Sequence, residues 1–231
     1  MKYILLTLCG LLILESSFGQ REFQFKIYQN TDFFKSSYYS PQTNEKRNSS
    51  HLNFNRISFA LTVRGKNDVV HEIEFFLPEL SRSIYKVRFP ANYEFKEGDD
   101  IKGFISSYSC RYELSKVLSN SSKSMVFSLG IGVNPYFTNT EYEPAVSTTF
   151  YSSDKVFGIS LNLIPKINFR VTNRVRLDFS IPFKFYDLRE QKSKLENPAI
   201  PIRQQTTANS LYSFFESSYT LRFGLAYTFK E

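Results

Sequence analysis

The chain has no tryptophan, only two cysteines, two histidines and two methionines, and nine glycines and nine prolines among its 231 residues. Glycine and proline together fall far below the roughly 25–30% that marks low-complexity chains. A hydrophobic content of 42% with 22% charged residues excludes a disordered chain. No stretch approaches the ~18–20 consecutive apolar residues that a membrane-spanning helix requires. The cysteine count excludes a disulfide scaffold: Cys9 lies in the apolar leader, which leaves Cys110 alone and without an internal partner.

What is present begins with an export signature. Met1-Lys2 is a short basic start, Tyr3 to Leu14 is an apolar stretch too short to span a bilayer, and Ser17-Phe18-Gly19 places small residues where a signal peptidase cuts. Residues 1–19 read as a cleaved signal and 20–231 as one mature domain. Cys9 lies inside the apolar stretch and is read as part of the signal, not as a lipidation site. An exported chain with no spanning helix is either soluble or a β-barrel.

From Gln20 onward the apolar residues recur with period 2, the strand signal. Eight blocks follow. They are anchored by Phe23/Phe25/Ile27, Ile57/Phe59/Leu61/Val63, Val69/Ile73/Phe75/Leu77, Phe104/Tyr108/Cys110/Tyr112/Leu114, Met125/Phe127/Leu129/Ile131/Val133, Phe157/Ile159/Leu161/Leu163, Val175/Leu177/Phe179/Ile181/Phe183 and Tyr219/Leu221/Phe223/Leu225/Tyr227/Phe229. Leu52 and Phe54 have the opposite parity to Ile57, which predicts a bulge near Asn55-Arg56. Pro165 within the sixth block predicts another local bulge. The connections alternate in length. Segments 30–53, 79–102, 138–155 and 187–216 are long, whereas 65–68, 115–124 and 172–173 are short. That alternation fits an antiparallel barrel with one long-loop rim and one short-turn rim. Segments 83–89 and 210–215 could be two further strands, giving ten; the preferred reading makes them rim extensions of eight.

Volume decides which row faces out. A bore of eight strands is just wide enough to be filled by side chains. Rows of Phe, Leu, Ile and Tyr are too bulky to share it, whereas Gly130, Gly132, Gly158, Ser160, Gly224 and Ala226 suit a crowded interior. The apolar rows are therefore expected to face lipid, in an all-β, closed, antiparallel transmembrane barrel with both termini periplasmic. A soluble ligand-binding barrel, with the apolar rows inside, is the alternative.

In this pattern the chain resembles the small outer-membrane β-barrels of Gram-negative bacteria, of the OmpX and OmpA-barrel kind. The end Leu221-Arg222-Phe223-Gly224-Leu225-Ala226-Tyr227-Thr228-Phe229 is similar to the aromatic C-terminal signal by which such barrels are recognised; it departs by continuing to Lys230-Glu231. The turn Arg64-Gly65-Lys66 with His71-Glu72-Ile73-Glu74-Phe75 is similar to barrels of Bacteroidota. The resemblance implies outer-membrane lipid and the barrel-assembly machinery as partners, with Leu225, Tyr227 and Phe229 as the assembly signal. It implies no single activity, because the fold hosts structural, adhesive, acyl-transfer and pore functions.

The net charge of +7 is not in the long loops, which sum to +1, 0, −2 and 0 in chain order. It belongs to the barrel and its turns, which argues against a nucleic-acid surface. The inward rows carry Lys26, Arg64, Arg111, Lys166, Arg170, Arg176, Lys184 and Arg222 against Glu72, Glu74, Glu113 and Asp178. The first expectation is an ion-paired plug; the surplus of bases leaves an anion-preferring pore as the second. A lipid A-modifying enzyme is a third, with His51 the only histidine on the long-loop side and no assignable carboxylate partner. His71 lies on the apolar row near a short turn. No cofactor is expected, and Glu97, Asp99 and Asp100 read as a solvated acidic turn. Large apolar residues in the long loops, Phe33, Phe34, Tyr38, Tyr39, Leu211, Tyr212, Phe214 and Phe215, could bind a surface ligand or rest on the membrane. The reading these features favour is a non-enzymatic envelope protein with a structural or surface-interaction role.

Overall fold

The computed structural model describes residues 22–40, 45–65, 67–86, 100–119, 124–143, 150–215 and 218–229, with only the backbone path for 34–40, 45–55, 80–86 and 100–102. Residues 1–21, Glu97, Asp99, Lys230 and Glu231 lie outside the described residues, as do the side chains of His51, Phe34, Tyr38 and Tyr39.

Eleven strand segments form one antiparallel sheet that closes on itself. They are β1 (Glu22–Ser40), β2 (Glu45–Arg64), β3 (Val69–Phe76), β4 (Glu79–Lys86), β5 (Asp100–Val117), β6 (Met125–Glu143), β7 (Ser152–Arg170), β8 (Val175–Ser180), β9 (Phe183–Leu195), β10 (Thr206–Phe214) and β11 (Ser218–Phe229). Three staves of the barrel are interrupted. Leu77-Pro78 separates β3 from β4, both of which pair with β5. Ile181-Pro182 separates β8 from β9, both of which pair with β7. β10 and β11 run along β9 and β8, parted near Phe215, whose φ of 49° bends the chain. Counted as staves the wall is eight, and the seam is the pairing of β1 with β11 from Phe23↔Phe229 to Phe34↔Ser218. The ten-stranded alternative does not hold: Ser83 to Lys86 lie in β4 and Ser210 to Phe214 in β10, each the continuation of an existing stave.

Register irregularities fall where the hydrophobic parity changes. Asn30 pairs Arg56 and Thr31 pairs Phe54, so Asn55 is the extra residue and Leu52 and Phe54 keep the opposite parity to Ile57. At Pro165 the structure differs from the expected bulge. Pro165 stays in register with Leu129, and its carbonyl accepts from Ile181 at 3.1 Å. Its missing donor thus faces the interruption at Ile181-Pro182, where no ladder is broken; the shift occurs nearby, between Leu161 and Asn162.

Inward and outward rows are cleanly separated. Phe23, Ile27, Leu61, Leu114, Phe127, Ile131, Leu163, Leu177, Phe223 and Leu225 all stand exposed on the outer wall, Ile131 at 57% and Leu61 at 58%. The side chains shielded from solvent are largely polar or charged, among them Lys26, Glu72, Glu74, Glu113, Asp178 and Arg222. This inversion of the usual globular order is what a lipid-immersed barrel requires, and it overturns the soluble alternative. The bore admits its contents only because small residues make room. Gly224 faces the Tyr28 ring, where an added Cβ would stand 2.3 Å from ring carbons, and Gly158 faces Tyr136 in the same way.

Candidate functional site

The middle of the bore is occupied by a single ion-pair network. Arg222 of β11 is fully buried and is its basic hub. Its guanidinium meets Glu74 at 2.6 Å, Glu113 at 3.0 Å and Glu72 at 3.2 Å, and its Nε donates to Ser180 Oγ at 2.6 Å. Glu72 of β3 is the acidic hub, reached by Lys26 at 2.8 Å and Lys166 at 3.2 Å as well. Lys26 also reaches Asp178 at 2.8 Å, and Lys166 reaches Glu113 at 2.7 Å. Arg111 pairs with Glu74, which also accepts from Ser58.

Neutral groups extend the network, though Glu113 Oε1 and Asp178 Oδ1 accept no hydrogen bond from the described residues. The Tyr28 hydroxyl donates toward Glu72 and Asp178 at 3.0–3.2 Å, and the Thr62 hydroxyl donates to Glu72 at 3.2 Å. The Tyr28 ring lies under the Arg222 guanidinium, 4.3 Å from centroid to Cζ. A charge taken out of water survives only if it is paired and its remaining donors or lone pairs are used. Here four bases, Lys26, Arg111, Lys166 and Arg222, meet four carboxylates, Glu72, Glu74, Glu113 and Asp178. The plug is formally neutral.

The other four inward bases lie outside this plug, toward the two mouths of the bore. Arg64 and Arg176 line the short-turn mouth, where Glu22 holds them at 3.7 and 2.6 Å; Arg64 also reaches Asp68 at 2.5 Å. Arg170 is exposed at the same rim, in register with Arg176. Lys184 belongs to the long-loop side, 3.9 Å from buried Asp187. Asp187 accepts from the Tyr136 hydroxyl at 3.0 Å through both oxygens and is 4.0 Å from Arg189.

Several participants escaped the sequence reading. Asp187 stood at the edge of what read as a loop, and Glu22 at the edge of the first block. Ile164 sits on the inward row beside Gly132, fully buried, because the parity of β7 continues unbroken through Pro165. Tyr28 was legible as inward by its parity with Lys26, and its register partner Gly224 was the signal that a ring fills that space. His71 lies on the outer wall with Nδ1 2.8 Å from the Tyr112 hydroxyl. Leu225, Tyr227 and Phe229 point outward from β11, each 40–52% exposed. Leu211, Tyr212, Phe214 and Phe215 are exposed too, with Phe214 against Tyr186 at 4.9 Å.

No family model and no curated protein matches the chain. Solved structures do match in shape. A major outer membrane protein from Thermus thermophilus is similar over 91% of this chain and 100% of its own, at 10% identity and a TM-score of 0.53. Neisserial surface protein A is similar over 91% and 100%, at 13% identity and 0.46. The outer membrane protease OmpT from Escherichia coli is similar over 93% and 100%, at 8% identity and 0.49. At such identities the likeness concerns the fold alone. With its closed wall, apolar outer face and charged interior, the chain has the fold of the small outer-membrane β-barrels.

Proposed function

We propose that this protein is a non-enzymatic constituent of the outer membrane, with a structural role in the envelope and a surface-interaction role through its long-loop side. The observation that carries the reading is the neutral plug. Its bases and carboxylates are committed to one another, which leaves no poised nucleophile, base or open selectivity ring among the described residues of the bore. On this reading residues 1–19 direct export, the termini and short turns face the periplasm, and Leu225, Tyr227 and Phe229 are the strip that the assembly machinery engages. Exposed Leu211, Tyr212, Phe214 and Phe215 offer apolar, mostly aromatic area on the opposite side, suited to a surface partner.

The test has two arms. Purified barrel in planar bilayers should give no steady conductance, and a steady anion-selective current that falls on neutralising Arg64 and Arg176 would replace this reading with a pore. Cells carrying Leu211→Ser, Tyr212→Ser, Phe214→Ser and Phe215→Ser together should keep a folded barrel and lose adhesion to surfaces. Unchanged adhesion would remove the surface-interaction half of the proposal.

A further inference from the structure

Between the plug and the short turns the bore opens into a cavity of about 40 Å³ for water-sized guests. At roughly 10–15 Å³ for each buried water, that is space for about three waters or one tetrahedral oxyanion. Val70, Val117 and Val126 supply apolar wall, and the charges among the lining are all of one sign. Lys26 and Lys166 form its floor, Arg64 and Arg176 its mouth, and Ser115 and Ser128 part of its wall; no carboxylate is among the described residues that line it.

The donors there are not all spent. An ammonium carries three N–H groups. Lys26 directs two at Glu72 and Asp178, and Lys166 directs one at Glu72 with Glu113 close by at 2.7 Å, which leaves at least one on each. Both lysines are nearly fully buried, at 2% and 3% exposure, so water competes poorly for those donors. The side chains of Ser115 and Ser128, both nearly buried, face the cavity from β5 and β6. At the mouth Glu22 bridges Arg64 and Arg176 from the rim, at 3.7 and 2.6 Å, and holds the two guanidinium groups near each other.

We infer that this cavity is a binding site for a single phosphate group, entered from the short-turn side. The plug behind it closes the route onward, so the site holds its ligand and does not conduct it. Charge-assisted hydrogen bonds from fixed, desolvated cations are the strong kind, and the guanidinium fork matches the edge of a phosphate. Two sources share that chemistry: free inorganic phosphate, and the phosphate of a lipid headgroup reaching around the rim.

The detergent-folded barrel is titrated with inorganic phosphate at constant ionic strength in chloride, read by ³¹P line broadening. Binding should saturate and weaken about tenfold in Arg176→Gln, the loss expected for one charge-assisted bond. Ser128→Val, which keeps every charge, should weaken it by a smaller factor, and Lys184→Gln at the far mouth should leave it unchanged. Heat-modifiable mobility reports that each variant is folded. A parallel titration with dihexanoyl phosphatidic acid separates the sources: tighter binding than phosphate assigns the site to a lipid headgroup, and binding of phosphate alone assigns it to the free ion. Saturation by neither ligand overturns the site, as does equal affinity in the parent, Arg176→Gln and Ser128→Val.

Discussion

Arg222 and Glu113 stand four staves apart in either direction around the barrel and meet across its full diameter at 3.0 Å. The other ion pairs of Arg222, to Glu72 and Glu74, are shorter chords of the same circle. The wall is thus tied from the inside as well as by its ladders. Removing one partner of a buried pair leaves the other charge uncompensated, at about 3–5 kcal/mol. Arg222→Met should therefore cost that much in urea unfolding from detergent, and Glu113→Gln added to it should restore part of the loss. A change below about 1 kcal/mol would remove the plug from the account of stability.

Tyr28 lies over Gly224 so closely that a methyl group there has no room. Gly224→Ala should destabilise the barrel by about 1–3 kcal/mol through overpacking. Tyr28→Ala in the same chain should relieve the clash, so that the double variant loses less than the sum of the two. Additive losses would show that the ring and the backbone do not contend for this space.

Ile131 is near the middle of the outward row of β6, and Met125 is at its short-turn end. Arginine at a lipid-facing midplane position costs about 2–4 kcal/mol, falling to about 0–1 near the interface. Ile131→Arg should consequently unfold in vesicles at lower urea than Met125→Arg. Equal midpoints would contradict the depth assigned to these residues.

Cys110 is a free, half-buried thiol on the outward row of β5, between Tyr108 and Tyr112. Set against acyl chains, it should react with a membrane-permeant maleimide and resist a charged one until the barrel is denatured. Rapid labelling of the folded protein in vesicles by the charged reagent would place Cys110 in water.

Much of this was readable in the residues, because a barrel exposes its apolar rows and hides its polar ones with strict period 2. The parity of Phe54 against Ile57 located the bulge at Asn55, and the run from Tyr219 to Phe229 marked the last stave. The cross-bore contacts were not readable. Whether Lys166 meets Glu113 or Asp178 depends on stagger around the cylinder, which no single strand encodes. The reach of long side chains into a shared space decides the rest. The breaks at Leu77-Pro78 and Ile181-Pro182 were not read: the seventh block was taken unbroken through Pro182, and the continuation of β4 and β9 on the same staves follows from pairing with β5 and β7.

The seam joins Phe23 to Phe229, residues at nearly opposite ends of the described chain. No turn brings these two edges together, so their meeting carries the largest loop-closure cost in the molecule. Until they meet, the sheet has two unsatisfied edges and a greasy face, the combination that drives chains to aggregate. Completion of the cylinder should therefore be the slowest step of its folding. Damage at either edge strand should surface first as failed delivery to the membrane, with weakened function in molecules already there a lesser effect.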